Sequence, residues 1–144
     1  MIRFFILILL VGLLTISQSF GFSVFDIKPN LALIAIVAAL FFTDFWQGIL
    51  LIVFAALILK FGPGLENEIL VFSLIGIGAN FVKKYLPWQN FLNNLFLIGV
   101  ATFIFYLILS LNLIWSVIFA KELFLNFAAG ILIFAFLSFL WKNK

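Results

Sequence analysis

Leu92–Leu111 is an uncharged, predominantly apolar stretch, close to the roughly 20 residues an α-helix needs to cross the hydrocarbon core of a bilayer. It does not stand alone. Phe4–Phe20, Ile69–Val82 and Leu123–Leu140 are further apolar runs, separated by short polar interruptions. Charged residues make up only 9% of the chain and the apolar set 67%, with a mean hydropathy of +1.40. A soluble domain carries about 25% charged residues, and a chain this poor in charge cannot clothe a water-facing surface. Lipid is therefore the expected solvent. With 144 residues, one bundle over residues 1-144 is the expected organisation.

The interruptions divide the chain into helices. Phe22–Asn30 brings Asp26, Lys28 and Pro29, a turn that restarts a helix at Leu31, with Pro29 suited to the first turn because its missing N–H is no loss there. Leu31–Leu59 as one helix would run about 43 Å, too long for an untilted span. Thr43, Asp44 and Gln47 lie at its centre, and an ionised Asp at mid-bilayer costs about 2.5–3.5 kcal/mol. A helical hairpin is expected instead, Leu31–Phe42 and Gly48–Leu59, turning near Asp44. Lys60–Glu68, with Gly62-Pro63-Gly64, reads as a loop. Asn112–Ala120 carries Trp115 and reads as an interfacial segment. The expected fold is thus all-α, a polytopic transmembrane helix bundle of about six spans with short loops: residues 4-20, 31-42, 48-59, 69-82, 92-111 and 123-140. Arg3 and Phe4–Leu14 look like a secretory signal, but the following apolar spans favour its retention.

Several function classes drop out early. The net charge is +3, but the basic residues are scattered, without the stripe that nucleic-acid binding requires. With no Cys and no His, the chain lacks the usual nucleophile, general base and soft metal ligands. It is expected to be no enzyme and to need no cofactor or metal. In a six-span arrangement Arg3, Lys83, Lys84, Lys142 and Lys144 share one side, and Lys28, Lys60 and Lys121 the other. The positive-inside rule then puts both termini in the cytoplasm. Merging Leu31–Leu59 into one span gives a different partition with the same five-to-three count and the amino terminus outside, so the polar break at Asp44 decides the number of spans.

Few side chains stand out. Asp44 is a candidate functional carboxylate, since intramembrane carboxylates mark ion paths; the plainer reading is a loop residue between two short helices. Ser73, Gly76, Gly78 and Asn80 give one span a small, polar stripe suited to close helix packing, within the protein or against a partner's helix. Ala35, Ala38 and Ala39, like Ala128-Ala129-Gly130, fit the same packing role. Asn126, near the start of the last span, is placed to cap or bridge neighbours. Glu66 and Glu68 read as solvated loop residues, and Lys121-Glu122, adjacent in sequence, do not face one another.

From Gln18 onward the chain resembles the MreD family of bacterial rod-shape-determining membrane proteins. The resemblance is carried by Gln18-Ser19-Phe20 and by Asp26-Ile27-Lys28-Pro29-Asn30-Leu31-Ala32-Leu33-Ile34, with Lys28-Pro29-Asn30 its most specific part. The polar hairpin Asp44–Gly48, the loop near Gly62–Gly64 and the basic, aromatic stretch Lys83–Trp88 follow in the family's order. Many members end the third span with a Gly-Leu-containing segment and an Asp, where this chain has Ala55-Ala56-Leu57-Ile58-Leu59-Lys60. The resemblance implies a non-enzymatic scaffold of the cell-elongation machinery in the bacterial inner membrane. Such a scaffold binds a bitopic partner, MreC, and links MreB filaments to the wall-synthesis enzymes. The residues leave two other readings open: a small-solute-binding subunit of an energy-coupling-type transporter, and a lipid-acting membrane enzyme using Asp26 with Lys28.

Overall fold

The computed structural model describes residues 1–61 and 66–142; the Gly62-Pro63-Gly64 turn and Lys144 lie outside the described residues. Six helices follow one another: α1 (Ile2–Ser19), α2 (Leu31–Leu40), α3 (Phe45–Phe61), α4 (Glu66–Val82), α5 (Asn90–Leu109) and α6 (Val117–Lys142), with a 3₁₀ turn at Leu111–Leu113. Among the described residues there is no β-strand. The chain is an all-helical membrane protein. Helices α1, α5 and α6 are each long and apolar enough to cross a bilayer.

The turn at Asp44 divides the long apolar stretch as its polarity requires, with α2 ending at Leu40 and α3 beginning at Phe45. What the hydropathy pattern does not convey is where α2 goes. All ten of its residues are buried, most of them completely. A helix apolar on every side can face lipid or protein alike, so only the packing of its neighbours places it at the centre. It packs against all five other helices, which follow around it in the order α1, α3, α4, α5, α6. At about 15 Å it spans only half the thickness of a hydrocarbon core.

Three boundaries differ from the sequence reading. Pro29 lies outside α2: Asn30 is the N-cap, and the Pro29 carbonyl accepts from the Leu31 N–H at 3.0 Å. Glu66 and Glu68 form the first turn of α4, where carboxylates complement the positive end of the helix dipole. The last part of the segment expected to be interfacial, Val117–Ala120, is instead the first turn of α6, so Lys121 and Glu122 are helical.

The connection from α1 to α2 contains a minimal hairpin turn. Val24 and Ile27 exchange backbone hydrogen bonds at 2.9 and 3.0 Å, and the two residues between them, Phe25 and Asp26, both have positive φ (51° and 64°). This is the backbone of a type I′ turn. It presents Phe25 almost fully exposed at its tip.

Helices α5 and α6 run antiparallel with a regular four-residue register. Tyr106 meets Glu122, Thr102 meets Asn126, and Ile98 meets Gly130, where an added methyl would collide with the Ile98 Cδ1. The spacing is that of side chains stacked on one face of each helix.

Candidate functional site

The first turn of any helix leaves backbone N–H groups without intrahelical partners, and burying them unpaired in lipid costs several kcal/mol each, on the order of a lost hydrogen bond in hydrocarbon. At the buried start of α2 three amide side chains meet this need. Asn30 Oδ1 accepts from the Leu33 N–H at 3.2 Å, and Gln18 Oε1, from the end of α1, accepts from the Ala32 N–H at 2.7 Å. Asn126 Oδ1, from α6, accepts from the Asn30 N–H at 3.2 Å, while its Nδ2 donates to Thr102 Oγ1 at 3.0 Å. Asn30 of the Lys28-Pro29-Asn30 motif thus has a clear structural task. Asn126 bridges three elements rather than capping its own helix.

One step up the α5–α6 ladder, the Tyr106 hydroxyl donates to a carboxylate oxygen of Glu122, both residues being buried. Glu122 also lines a cavity of about 480 Å³ at the same end of the bundle. Lys28, Glu68, Glu122 and Gln18 supply its polar lining, and Leu59, Ile69, Phe72 and Phe105 its apolar walls. Lys28 and Glu68 are exposed. The sequence reading treated Glu122 as the neighbour of Lys121 and missed the pair. The available signal was the spacing Glu122, Asn126, Gly130, which puts two polar residues and a glycine on one helix face.

The opposite end of the bundle carries the other polar cluster. Lys83 Nζ donates to the carbonyl oxygens of Leu40 and of Thr43, the latter at 2.9 Å, closing the C-terminal end of α2 with a cation. Burial lowers the Lys83 pKa from its usual 10.5, and the nearby Asp44 charge opposes that shift. Asp44 is exposed in the turn before α3, its N–H donating to Gln47 Oε1 at 3.3 Å. Its setting is that of a loop carboxylate. The Arg3 guanidinium stacks over Trp141 at this end, and Trp141 packs on Phe42.

The stripe on α4 is split by the packing. Gly76 lies buried against Ile52 of α3, and Asn80 is buried with its Nδ2 donating to the Phe45 carbonyl at 2.9 Å. Gly78 faces open space. Gly76 and Asn80 are therefore spent inside the bundle and cannot receive an outside helix; this corrects the expectation of one continuous partner-facing stripe. Ser73 alone remains beside an outward groove of about 230 Å³ between α3 and α4, lined almost wholly by apolar atoms, Ile49, Val53, Ala56, Leu57 and Ile77 among its residues. Asn93 and Asn94 of α5 are also buried; Asn93 donates to the Trp88 carbonyl at 2.8 Å, and neither amide atom of Asn94 has a protein partner among the described residues.

The described residues hold no cluster of carboxylates suited to a metal ion. The arrangement defines a multi-helix membrane protein whose described residues form a polar cavity at one end and an apolar groove on its side. No family model, no curated protein and no solved structure matches the chain.

Proposed function

We propose that this protein is a non-enzymatic scaffold of the bacterial cell-elongation machinery, the role implied by its resemblance to the MreD family. In this reading it crosses the cytoplasmic membrane six times with both termini inside, and the five-to-three distribution of basic residues supports that orientation. It binds the single transmembrane helix of an MreC-like bitopic partner, through which it meets the wall-synthesis enzymes and MreB. The observation that carries the partner-binding step is the α3–α4 groove, where Ala56 and Ser73 keep the surface low enough for a second helix to approach. In lipid, helices associate through close packing at small residues rather than through hydrophobicity, so such a groove is a natural seat.

Filling the groove tests this. Ala56→Phe and Ser73→Phe should each abolish co-purification of the bitopic partner from native membranes while the bundle keeps its thermal stability. A photo-crosslinker at Val53 should capture the same partner. Undiminished recovery of the partner from both variants would remove the groove from the mechanism, and recovery of no cell-elongation protein at all would remove the scaffold.

A second reading is favoured by the other feature. The cavity beside Glu122 has the volume of a small-molecule site, about 300–1,000 Å³, with a few polar groups converging on apolar walls. A solute-binding membrane subunit would be built this way.

A further inference from the structure

The cavity at the start of α2 carries charges of both signs that do not satisfy one another. Lys28 and Glu68 line it near the rim and Glu122 lines it from the buried side. Tyr106 is the hydrogen-bonding partner of the Glu122 carboxylate, and no side-chain cation lies within ion-pair distance of it among the described residues. Burying a carboxylate without a cation is costly, so a site that retains one beside a cavity is suited to receive a cation from outside. The backbone donors at the start of α2 do not compete for a ligand, because Gln18, Asn30 and Asn126 already occupy them.

We propose that this cavity binds a zwitterion bearing a primary ammonium, with its ammonium on Glu122, its anionic group on Lys28 and its apolar portion between Phe72 and Phe105. The proposal rests on the cavity being a ligand site, the second reading above, and is independent of the scaffold role. The volume lies within the range of small-molecule sites and leaves ample room for a ligand of this kind. The Tyr106 hydroxyl holds the carboxylate in place, and Glu68, also exposed in the lining, disfavours a ligand with two negative charges. An amphoteric ligand with this pairing comes from two sources, a free α-amino acid with an apolar side chain or the ethanolamine phosphate headgroup of a lipid.

Calorimetric titration of the detergent-purified full chain with L-leucine, leucinamide and 4-methylvalerate separates the charges. The expected result is binding of L-leucine at least tenfold tighter than of either singly charged analogue, with Glu122→Gln and the exposed-site variant Lys28→Gln each weakening it tenfold or more. Native mass spectrometry after reconstitution in mixed phosphatidylethanolamine and phosphatidylglycerol provides the lipid arm. Selective retention of phosphatidylethanolamine by the wild type, lost in Lys28→Gln, supports the same site with a headgroup as its occupant. Equal binding of leucinamide and L-leucine would overturn the zwitterion while leaving a ligand cavity. No binding of any probe, together with indiscriminate lipid retention, would overturn both. Lys28→Gln keeps the test valid if Glu122→Gln fails to fold, since Lys28 is exposed and makes no hydrogen bond within the bundle among the described residues.

Discussion

Asn126 of α6 accepts a hydrogen bond from the backbone N–H of Asn30 at 3.2 Å, joining residues 96 positions apart at the mouth of the central helix. The same amide donates to Thr102 on α5, so one side chain ties together α2, α5 and α6.

Removing that amide should weaken the whole bundle. Asn126→Leu keeps the branching at Cγ but leaves the Asn30 N–H and the Thr102 hydroxyl buried without this partner, a loss of about 1–3 kcal/mol. Thr102→Val should cost less, and the double variant less than the two singly because they share one network. Thermal unfolding of the purified protein in a single detergent reads all three.

Two glycines should respond in opposite directions to the same change. A methyl group on Gly48 would stand 2.7 Å from the Leu40 Cδ2 and 2.8 Å from both amide atoms of Asn80, so Gly48→Ala should destabilise by about 1–3 kcal/mol through overpacking. Gly78 has nothing within 4 Å of that position, and Gly78→Ala should stabilise α4 by about 0.5–1 kcal/mol. Parallel melting curves distinguish them, and equal effects would contradict the placement of α3 against α4.

Lys83 should lose its proton below the usual lysine range. Burial disfavours its charged form, and Asp44 offsets only part of that. A lysine whose pKa is lower in the folded chain holds fewer protons there than when unfolded. Its contribution to stability therefore rises with pH between the lowered value and 10.5, and is constant below that window. Asp44→Asn should move the lower edge further down. Reductive methylation of Lys83 followed by peptide mass spectrometry across pH provides the measurement.

The contacts divide the loops between two ends of the bundle. Arg3 with Trp141 and Lys83 with Thr43 mark one; Gln18 with Ala32 and Asn30 with Asn126 mark the other. Because the chain has no Cys, single cysteines report sidedness without background. In spheroplasts, Lys28→Cys and Lys121→Cys should react with an impermeant maleimide, while Asp44→Cys and Lys84→Cys should react only after permeabilisation. Labelling of Asp44→Cys together with Lys28→Cys from the same side would rule out six crossings.

By itself the sequence determined the solvent and the helices. Apolar runs of membrane length, broken by Asp44 and by the Lys28-Pro29-Asn30 turn, dictate an all-helical chain in lipid, because helix length and turn chemistry are local properties. Even there, the ends drifted where a polar residue continued a helix, as Glu66 does at the start of α4 and Glu122 does inside α6. Only the tertiary structure decided which helix lies at the centre and which faces meet. In water the apolar face of a helix announces the core; in lipid, tails are as apolar as leucine, and hydropathy no longer separates inside from outside. For that reason α2 reads in sequence like any other span, yet it is enclosed by the other five helices. For the same reason the stripe from Ser73 to Asn80 reads equally as packing within the bundle or against a partner, and only the structure turns Gly76 and Asn80 inward. The pairing of Tyr106 with Glu122 depends on the register between two helices, and that register is set by packing at Gly130 and hydrogen bonding at Asn126.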